Sequence, residues 1–264
     1  MRERADVRAS RWLILLLCAG LGPTAHAQLE SGATTIERVK PAIVAVGTYQ
    51  ATRNPAFQFR GTGFAVGDGR SIVTNAHVLR ASIDRDKLER LVIARPLVKG
   101  GAEIQTARDV VRDEAHDLAL LRIGKPLPAL TVGDGKAVRE GDLLLFTGFP
   151  IGGALGLYHA THRAMVAAVT PIAIPMPNDR RLDVATIRRL SATPYPVFQL
   201  DATAYPGNSG SPLYHPQTGE VLGIINMVFV KGSKEAVLSH PSGITYAIPA
   251  THLRALLSAT DERR

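Results

Sequence analysis

The sequence predicts an all-β protein made of two six-stranded antiparallel barrels, with a short helix at each end. Three observations support this. Short runs rich in Val, Ile, Leu and Thr recur at close intervals. Turn-forming residues separate them, with 24 Gly and 17 Pro in 264 residues. No long helical period interrupts the pattern until the C-terminal end. Many short strands with Gly/Pro turns belong to barrels or sandwiches, not to alternating βαβ units.

The elements follow in order. Thr34-Thr35-Ile36-Glu37 has the form of a capping box, so a short helix is expected from Thr34 to about Lys40, before Pro41. Strands are expected at Ala42–Thr48, Gln58–Val66 and Ser71–Thr74, the last two joined by the hairpin turn Gly67-Asp68-Gly69. Further strand-like runs are Leu91–Ile93, Gln105–Ala107, Leu118–Ile123, Leu143–Thr147, Ala164–Val169, Val197–Leu200, Pro212–Tyr214, Val221–Val230 and Gly243–Ile248. Leu253, Leu256 and Leu257 lie at i, i+3, i+4 behind Pro249 and Thr251, which predicts a closing helix over about 250–258. About twelve strands are too many for one small barrel. Two barrels of six fit, over about 41–130 and 140–250, with the polar stretch Thr131–Glu140 between them. Pro171–Pro196 holds five prolines and reads as a long surface loop with one helical turn near Val184–Leu190.

With 45% hydrophobic and 20% charged residues, the composition is that of a globular chain. The N-terminus stands apart. Arg2, Arg4, Arg8 and Arg11 lead into the apolar run Trp12–Leu21, and Ala25-His26-Ala27 follows. This is the pattern of a secretory signal peptide spanning 1–27, leaving 28–264 as the mature domain. The run is shorter than the ~20 residues a spanning helix needs, and no second long run follows, so no membrane span is expected. Cys18 is the only cysteine and leaves with the leader, so the mature domain must rely on its core. Export into a bacterial periplasm or beyond fits that chemistry. The leader carries a net +2 of the total +8, leaving about +6 on scattered basic residues with no nucleic-acid motif. A solvated basic surface is expected, and no nucleic-acid partner.

The stretch Tyr205–Leu213 (YPGNSGSPL) sets Ser209 among turn-forming residues ahead of a strand. A nucleophile on a tight turn needs this, and backbone N–H groups of the Gly207-Asn208-Ser209 turn could converge on an oxyanion. A serine hydroxyl also needs a base, and the base an orienting acid. His77 ends the run Ser71–Ala76, and Asp117 opens the apolar run from Leu118. Each has a plain alternative: a Gly/Asn/Ser loop, a structural histidine, an exposed loop aspartate.

TNAHV (Thr74–Val78), HDLALL (His116–Leu121) and GNSGSPL (Gly207–Leu213) occur in the order His, Asp, Ser. That order and these flanks resemble the chymotrypsin-like serine proteases, and within them the bacterial HtrA (DegP-like) branch. Gly61-Thr62-Gly63-Phe64, Gly148-Phe149-Pro150 and Tyr246-Ala247-Ile248-Pro249 add to the likeness, which spans about 33–257. The resemblance implies two chymotrypsin-type barrels with the site between them, and a triad of His77, Asp117 and Ser209. It implies an oxyanion hole in Gly207, Asn208 and Ser209, and polypeptide substrates without a cofactor. Digestive members carry Asp where this chain has Asn208, so activation by N-terminal insertion is not expected. HtrA proteins usually continue into PDZ domains, and none is expected before the chain ends soon after Leu257. A non-catalytic, chaperone-like peptide-binding module on the same fold is the alternative.

The resemblance puts Thr203 at the base of the specificity pocket, with Ile224, Ile225 and Asn226 on one wall and Tyr246 near another. With no carboxylate at Thr203, a small-to-medium apolar side chain is expected there. His116 should face away from Asp117. His215, His240 and His252 should be surface residues. His159 and His162 have no third ligand, so no metal is expected.

Overall fold

Side chains alternate along a strand, so one strand can serve two cores. The computed structural model, which describes residues 24–97, 100–171, 194–226 and 243–262, uses this alternation throughout. The first closed barrel contains β1 (Ile43–Tyr49), β2 (Phe57–Val66), β3 (Ser71–Asn75), β4 (Arg90–Pro96), β5 (Ala102–Asp113) and β6 (Leu118–Ile123). The second contains β7 (Leu143–Gly148), β8 (Ala160–Pro171), β9 (Pro196–Asp201), β10 (Pro212–Tyr214), β11 (Val221–Asn226) and β12 (Ile244–Pro249). Their strand orders are the same: β1-β2-β3-β6-β5-β4 in one and β7-β8-β9-β12-β11-β10 in the other. All these pairings are antiparallel.

In β1, Val44 and Val46 fill the interior of the first barrel, while Ile43 and Ala45 face a second cluster. In β6, Ala119 and Leu121 face inward, and Leu118 and Leu120 face that same second cluster. The shared cluster also takes Phe149, Tyr214, Val221, Ile224 and Ile248 from the second barrel. It is therefore the seam between the barrels. The second barrel keeps its own interior around Leu144, Phe146, Val166, Phe198, Leu200 and Leu213. The linker touches both barrels, with Leu130 bridging Val66 and Val132 bridging Val221.

Three helices complete the described fold: α1 (Thr24–Val39), α2 (Gly152–Leu155) and α3 (Ala250–Asp261). The helix α1 begins ten residues before the expected start, so Thr34 lies inside it and is not its cap. Its last turns are anchored on the β10–β11 connection. Thr35 Oγ1 donates to the Gln217 carbonyl at 3.0 Å, and Arg38 donates to Gln217 and Thr218 carbonyls at 3.2 and 2.9 Å. The helix α3 closes the seam with Leu253 and Leu256. The strand β5 runs far beyond Gln105–Ala107, because Glu103, Arg108 and Arg112 break up its apolar pattern. The expected helical turn near Val184–Leu190 and the end of the run Val221–Val230 lie outside the described residues.

The loop after His77 is tied to the barrel by one carboxylate. Glu89 is 9% exposed and accepts hydrogen bonds from Thr48 Oγ1 (2.5 Å), Arg53 Nη1 (2.8 Å) and the Asp84 N–H (2.8 Å). The Thr48 hydroxyl, followed by the Asp84 N–H, does most to push its carboxyl down to about 2, outweighing the effect of burial. A depressed carboxylate stabilises the fold above its unfolded value of 4.5 and loses that contribution as pH falls toward about 2. Between those values, thermal melts should therefore fall less steeply for Glu89→Gln than for the wild type. Parallel slopes would contradict this role. Separately, Leu253→Ala should lower stability by about 2–5 kcal/mol in urea titrations, because it opens a cavity in the seam.

Candidate active site

Pairing between β3 and β6 brings His77 and Asp117 together. Asn75 stands opposite Leu118 at the end of the ladder. Beyond it a 3-10 turn, Ala76–Leu79, lifts His77 off the strand. On the other strand, Asp117 takes a left-handed backbone, with φ at +52°. Such a conformation is unfavourable for most residues with a Cβ, and Asp tolerates it better than most. Two donors hold it: the Ala76 N–H and the Asn75 side-chain amide, both 3.1 Å from the Asp117 carbonyl.

The Asp117 carboxylate is 3% exposed and fully engaged. Its Oδ2 lies 2.6 Å from His77 Nδ1 and accepts from Asn226 Nδ2 at 2.8 Å. Its Oδ1 accepts the His77 backbone N–H at 2.8 Å. Burial alone would raise the Asp117 pKa. The His77 ring and backbone and the Asn226 amide outweigh it, and the net shift is downward. An ionised Asp117 can only accept, so the proton in this hydrogen bond sits on His77 Nδ1.

Ser209 sits on the loop between β9 and β10 and is 7% exposed. The Asn208 N–H closes the turn onto the Tyr205 carbonyl at 2.9 Å, and the Gly210 N–H reaches Ile225 at 3.0 Å. Thr62 on β2 rivets this turn to the first barrel. Its N–H donates to the Ser209 carbonyl at 2.9 Å, and its hydroxyl to the Gly207 carbonyl at 2.7 Å. Thr62 is itself held, its carbonyl accepting the Thr74 hydroxyl at 2.7 Å. Gly207 and Gly210 have φ of +105° and +86°. A Cβ at Gly207 would strike the Phe149 carbonyl, and one at Gly210 the Thr62 carbonyl. Both positions therefore require glycine.

This geometry narrows the expected oxyanion donors. The Asn208 N–H is committed to Tyr205, which removes it from the set. Among the described residues, neither Gly207 nor Ser209 donates its N–H to a backbone carbonyl. Asn208 is fully buried, where an unpaired carboxylate would be strongly disfavoured.

The residues expected on the pocket wall have other contacts in the structure. Ile224 packs in the seam, Ile225 packs in the interior of the second barrel, and the Asn226 amide holds Asp117. Thr203 is partly buried, and Thr245 fixes its neighbours by donating to the Ala202 carbonyl at 2.7 Å and accepting the Ala204 N–H at 3.1 Å. Tyr246 is partly buried and pairs across the ladder with Asn226. One histidine differs from expectation. His252 is partly buried and stacks on His116 at 3.9 Å. His159 Nε2 donates to the Ile43 carbonyl at 3.0 Å. His240 lies outside the described residues. No group of three candidate metal ligands occurs among the described residues. Sequence reasoning missed Thr62 as the rivet and Asn226 as a partner of Asp117. A buried hydroxyl between two glycines, Gly61 and Gly63, is the signal that could have found the first.

Residues 61–224 match the family model described as a trypsin-like peptidase domain. The chain belongs to the trypsin-like peptidase family. Among this peptidase's curated relatives is a probable periplasmic serine endoprotease, DegP-like, of Pseudomonas putida strain W619. It is 31% identical over 193 residues, covering 73% of this chain and 33% of the relative. Serine protease HTRA1A of Danio rerio is 30% identical over 237 residues, covering 88% of this chain and 41% of that protein. The chain thus spans well under half the length of either relative. Among solved structures, the HtrA-type protease AlgW with decapeptide matches at a TM-score of 0.62 and 22% identity, covering 88% of this chain and 67% of that one. Deg5 matches at 0.60 and 21%, covering 86% and 92%. These two share the fold. Among the described residues no helix is long and apolar enough to cross a membrane.

Thr62→Val keeps the shape but strands the Gly207 carbonyl and the Phe149 N–H, which reaches Thr62 Oγ1 at 3.2 Å. It should cost about 1–3 kcal/mol in denaturant titrations. A change below about 0.5 kcal/mol would mean that the rivet carries no energy.

Proposed function

We propose that this chain is an exported serine endopeptidase that cleaves polypeptides through an acyl-enzyme. The observation that carries the proposal is the buried Asp117 joined to His77 at 2.6 Å, in a seam where Thr62 also anchors the Ser209 turn. In this mechanism Ser209 Oγ attacks the peptide carbonyl carbon while His77 Nε2 accepts its proton. The ionised Asp117 stabilises the resulting imidazolium and keeps its ring aligned. The Gly207 and Ser209 N–H groups receive the negative charge that develops on the carbonyl oxygen. The tetrahedral intermediate collapses as His77 returns the proton to the leaving amine. Water then repeats the sequence on the ester, with His77 again as base, and frees Ser209. Every proton passes between side chains of this chain and substrate or water.

The basic, apolar and small-residue sequence of 1–27 supports export, as does the periplasmic naming of the Pseudomonas relative. Envelope or misfolded proteins are the substrates proposed, and residues 28–264 the mature domain. Thr203 at the pocket base favours an apolar side chain over a basic one.

A fluorophosphonate probe should label the wild type and leave Ser209→Ala unlabelled. Equal labelling of both would exclude Ser209 as nucleophile. No labelling of either would favour the non-catalytic peptide-binding module. Asp117→Asn should lower kcat by ~10⁴, because it inverts the tautomer of His77. A loss below tenfold in steady-state peptide cleavage would remove Asp117 from the mechanism.

A further inference from the structure

The segment that presents Asp117 is gripped from both barrels by an aromatic and imidazole stack. His116, the residue before Asp117, lies with its Nδ1 2.6 Å from Asp113 Oδ2 at the end of β5. The His116 and Ala115 N–H groups both donate to Asp113 Oδ1 at 3.1 Å. The outer face of the His116 ring meets His252, in the first turn of α3, with centroids 3.9 Å apart and planes 24° apart. Tyr195, just before β9, stands edge-on to both rings at 4.7 and 4.9 Å. Asp113 and His116 therefore come from the first barrel, and Tyr195 and His252 from the second barrel and its closing helix.

We propose that His116 and His252 are positioning residues for Asp117, forming an acid-released clamp between the barrels. The proposal rests on Asp117 having the catalytic role assigned above. Its logic is geometric. Asp117 keeps a left-handed backbone that is unfavourable in isolation, so its neighbours must hold it. The next residue back is immobilised by a carboxylate on one side and a stacked ring on the other. Leu253, beside His252, is packed in the seam, so movement of His252 is linked to movement of α3.

Asp113 is the counter-charge shared by both rings. Among the other charged groups nearby, Glu114 pairs with Arg80 at 3.5 Å, and Arg254 on α3 is exposed. Burial, then the facing His116, pushes His252 down to about 4 against a weaker pull from Asp113. The clamped form therefore binds this proton more weakly than an opened form with the ordinary value of 6.5. The clamp is fully stable above that ordinary value and loses stability as pH falls toward about 4. A difference of this size shifts the opening equilibrium by up to roughly three-hundredfold.

The test compares wild type with His252→Phe, which keeps a ring in the stack but cannot titrate. The Ala76 amide, whose acceptor is the Asp117 carbonyl, reports on Asp117 by hydrogen exchange corrected for intrinsic rate. From pH 7 to pH 4.5, its protection should fall by ten- to a hundredfold in the wild type and by less than about threefold in His252→Phe. The same fall in both proteins would overturn the clamp. If the variant does not fold, NMR titration of the His252 ring in the wild type decides: a midpoint near 4 supports the clamp and one between 6 and 7 overturns it. At pH 5.5, relative to pH 7.5, His252→Phe should retain more kcat than wild type with KM unchanged. Matching kcat profiles would remove the positioning role. Should neither protein cleave peptides at any pH, the proposed function fails, while exchange and titration still judge the clamp.

Discussion

The contact between His77 and Asp117 is the constraint on which the rest depends. It requires a carboxylate to be ionised while almost wholly buried. Left alone, burial would neutralise it. The fold answers with three donors from two residues: the imidazole and N–H of His77, in the turn after β3, and the amide of Asn226 at the end of β11. Asn226 belongs to the second barrel, so the electrostatic state of Asp117 depends on the two barrels being docked. The geometry of the proposed site and domain docking are in this sense one problem.

The seam solves it with apolar packing and a few polar rivets. Strands at the interface send one set of side chains to their own barrel and the other set across. Ile43, Phe64, Leu118 and Leu120 meet Phe149, Tyr214, Ile224 and Ile248, and α3 covers them with Leu253 and Leu256. On this platform Thr62 of the first barrel takes hold of the Gly207 and Ser209 carbonyls of the second. The Ser209 turn, with its two left-handed glycines, would otherwise be mobile. Pinning its carbonyls fixes where its N–H groups can point, which is what oxyanion stabilisation needs in advance of reaction.

Much of this was legible in the sequence. The barrels follow from the strand count and turn residues, and the three motifs mark the elements that carry His77, Asp117 and Ser209. What escaped shares a physical reason: it depends on contacts distant in sequence. Thr62 and Ser209 are joined across the seam, and the glycines flanking Thr62 mark a close approach without naming its partner. The resemblance puts Asn226 on a pocket wall, but its amide donates to Asp117. His252 reads as a surface residue on a helix until Tyr195 and His116 are found against it. The strand β5 is longer than expected from sequence because charged residues on both of its faces break up the apolar pattern. Thr34 fits a capping box, yet local capping chemistry gave way to a helix continuing through it.

The central claim is that docking of the barrels assembles the His77–Asp117 half of the site before any substrate is present. One-dimensional proton NMR of the ligand-free protein tests it most directly, through the Nδ1 proton of His77. A strongly hydrogen-bonded imidazole proton should appear far downfield of the amide envelope at neutral pH. It should vanish in Asp117→Asn and weaken in Asn226→Ala, which removes the contribution from the second barrel. A wild-type spectrum without this resonance, or one unchanged by either substitution, would contradict the account.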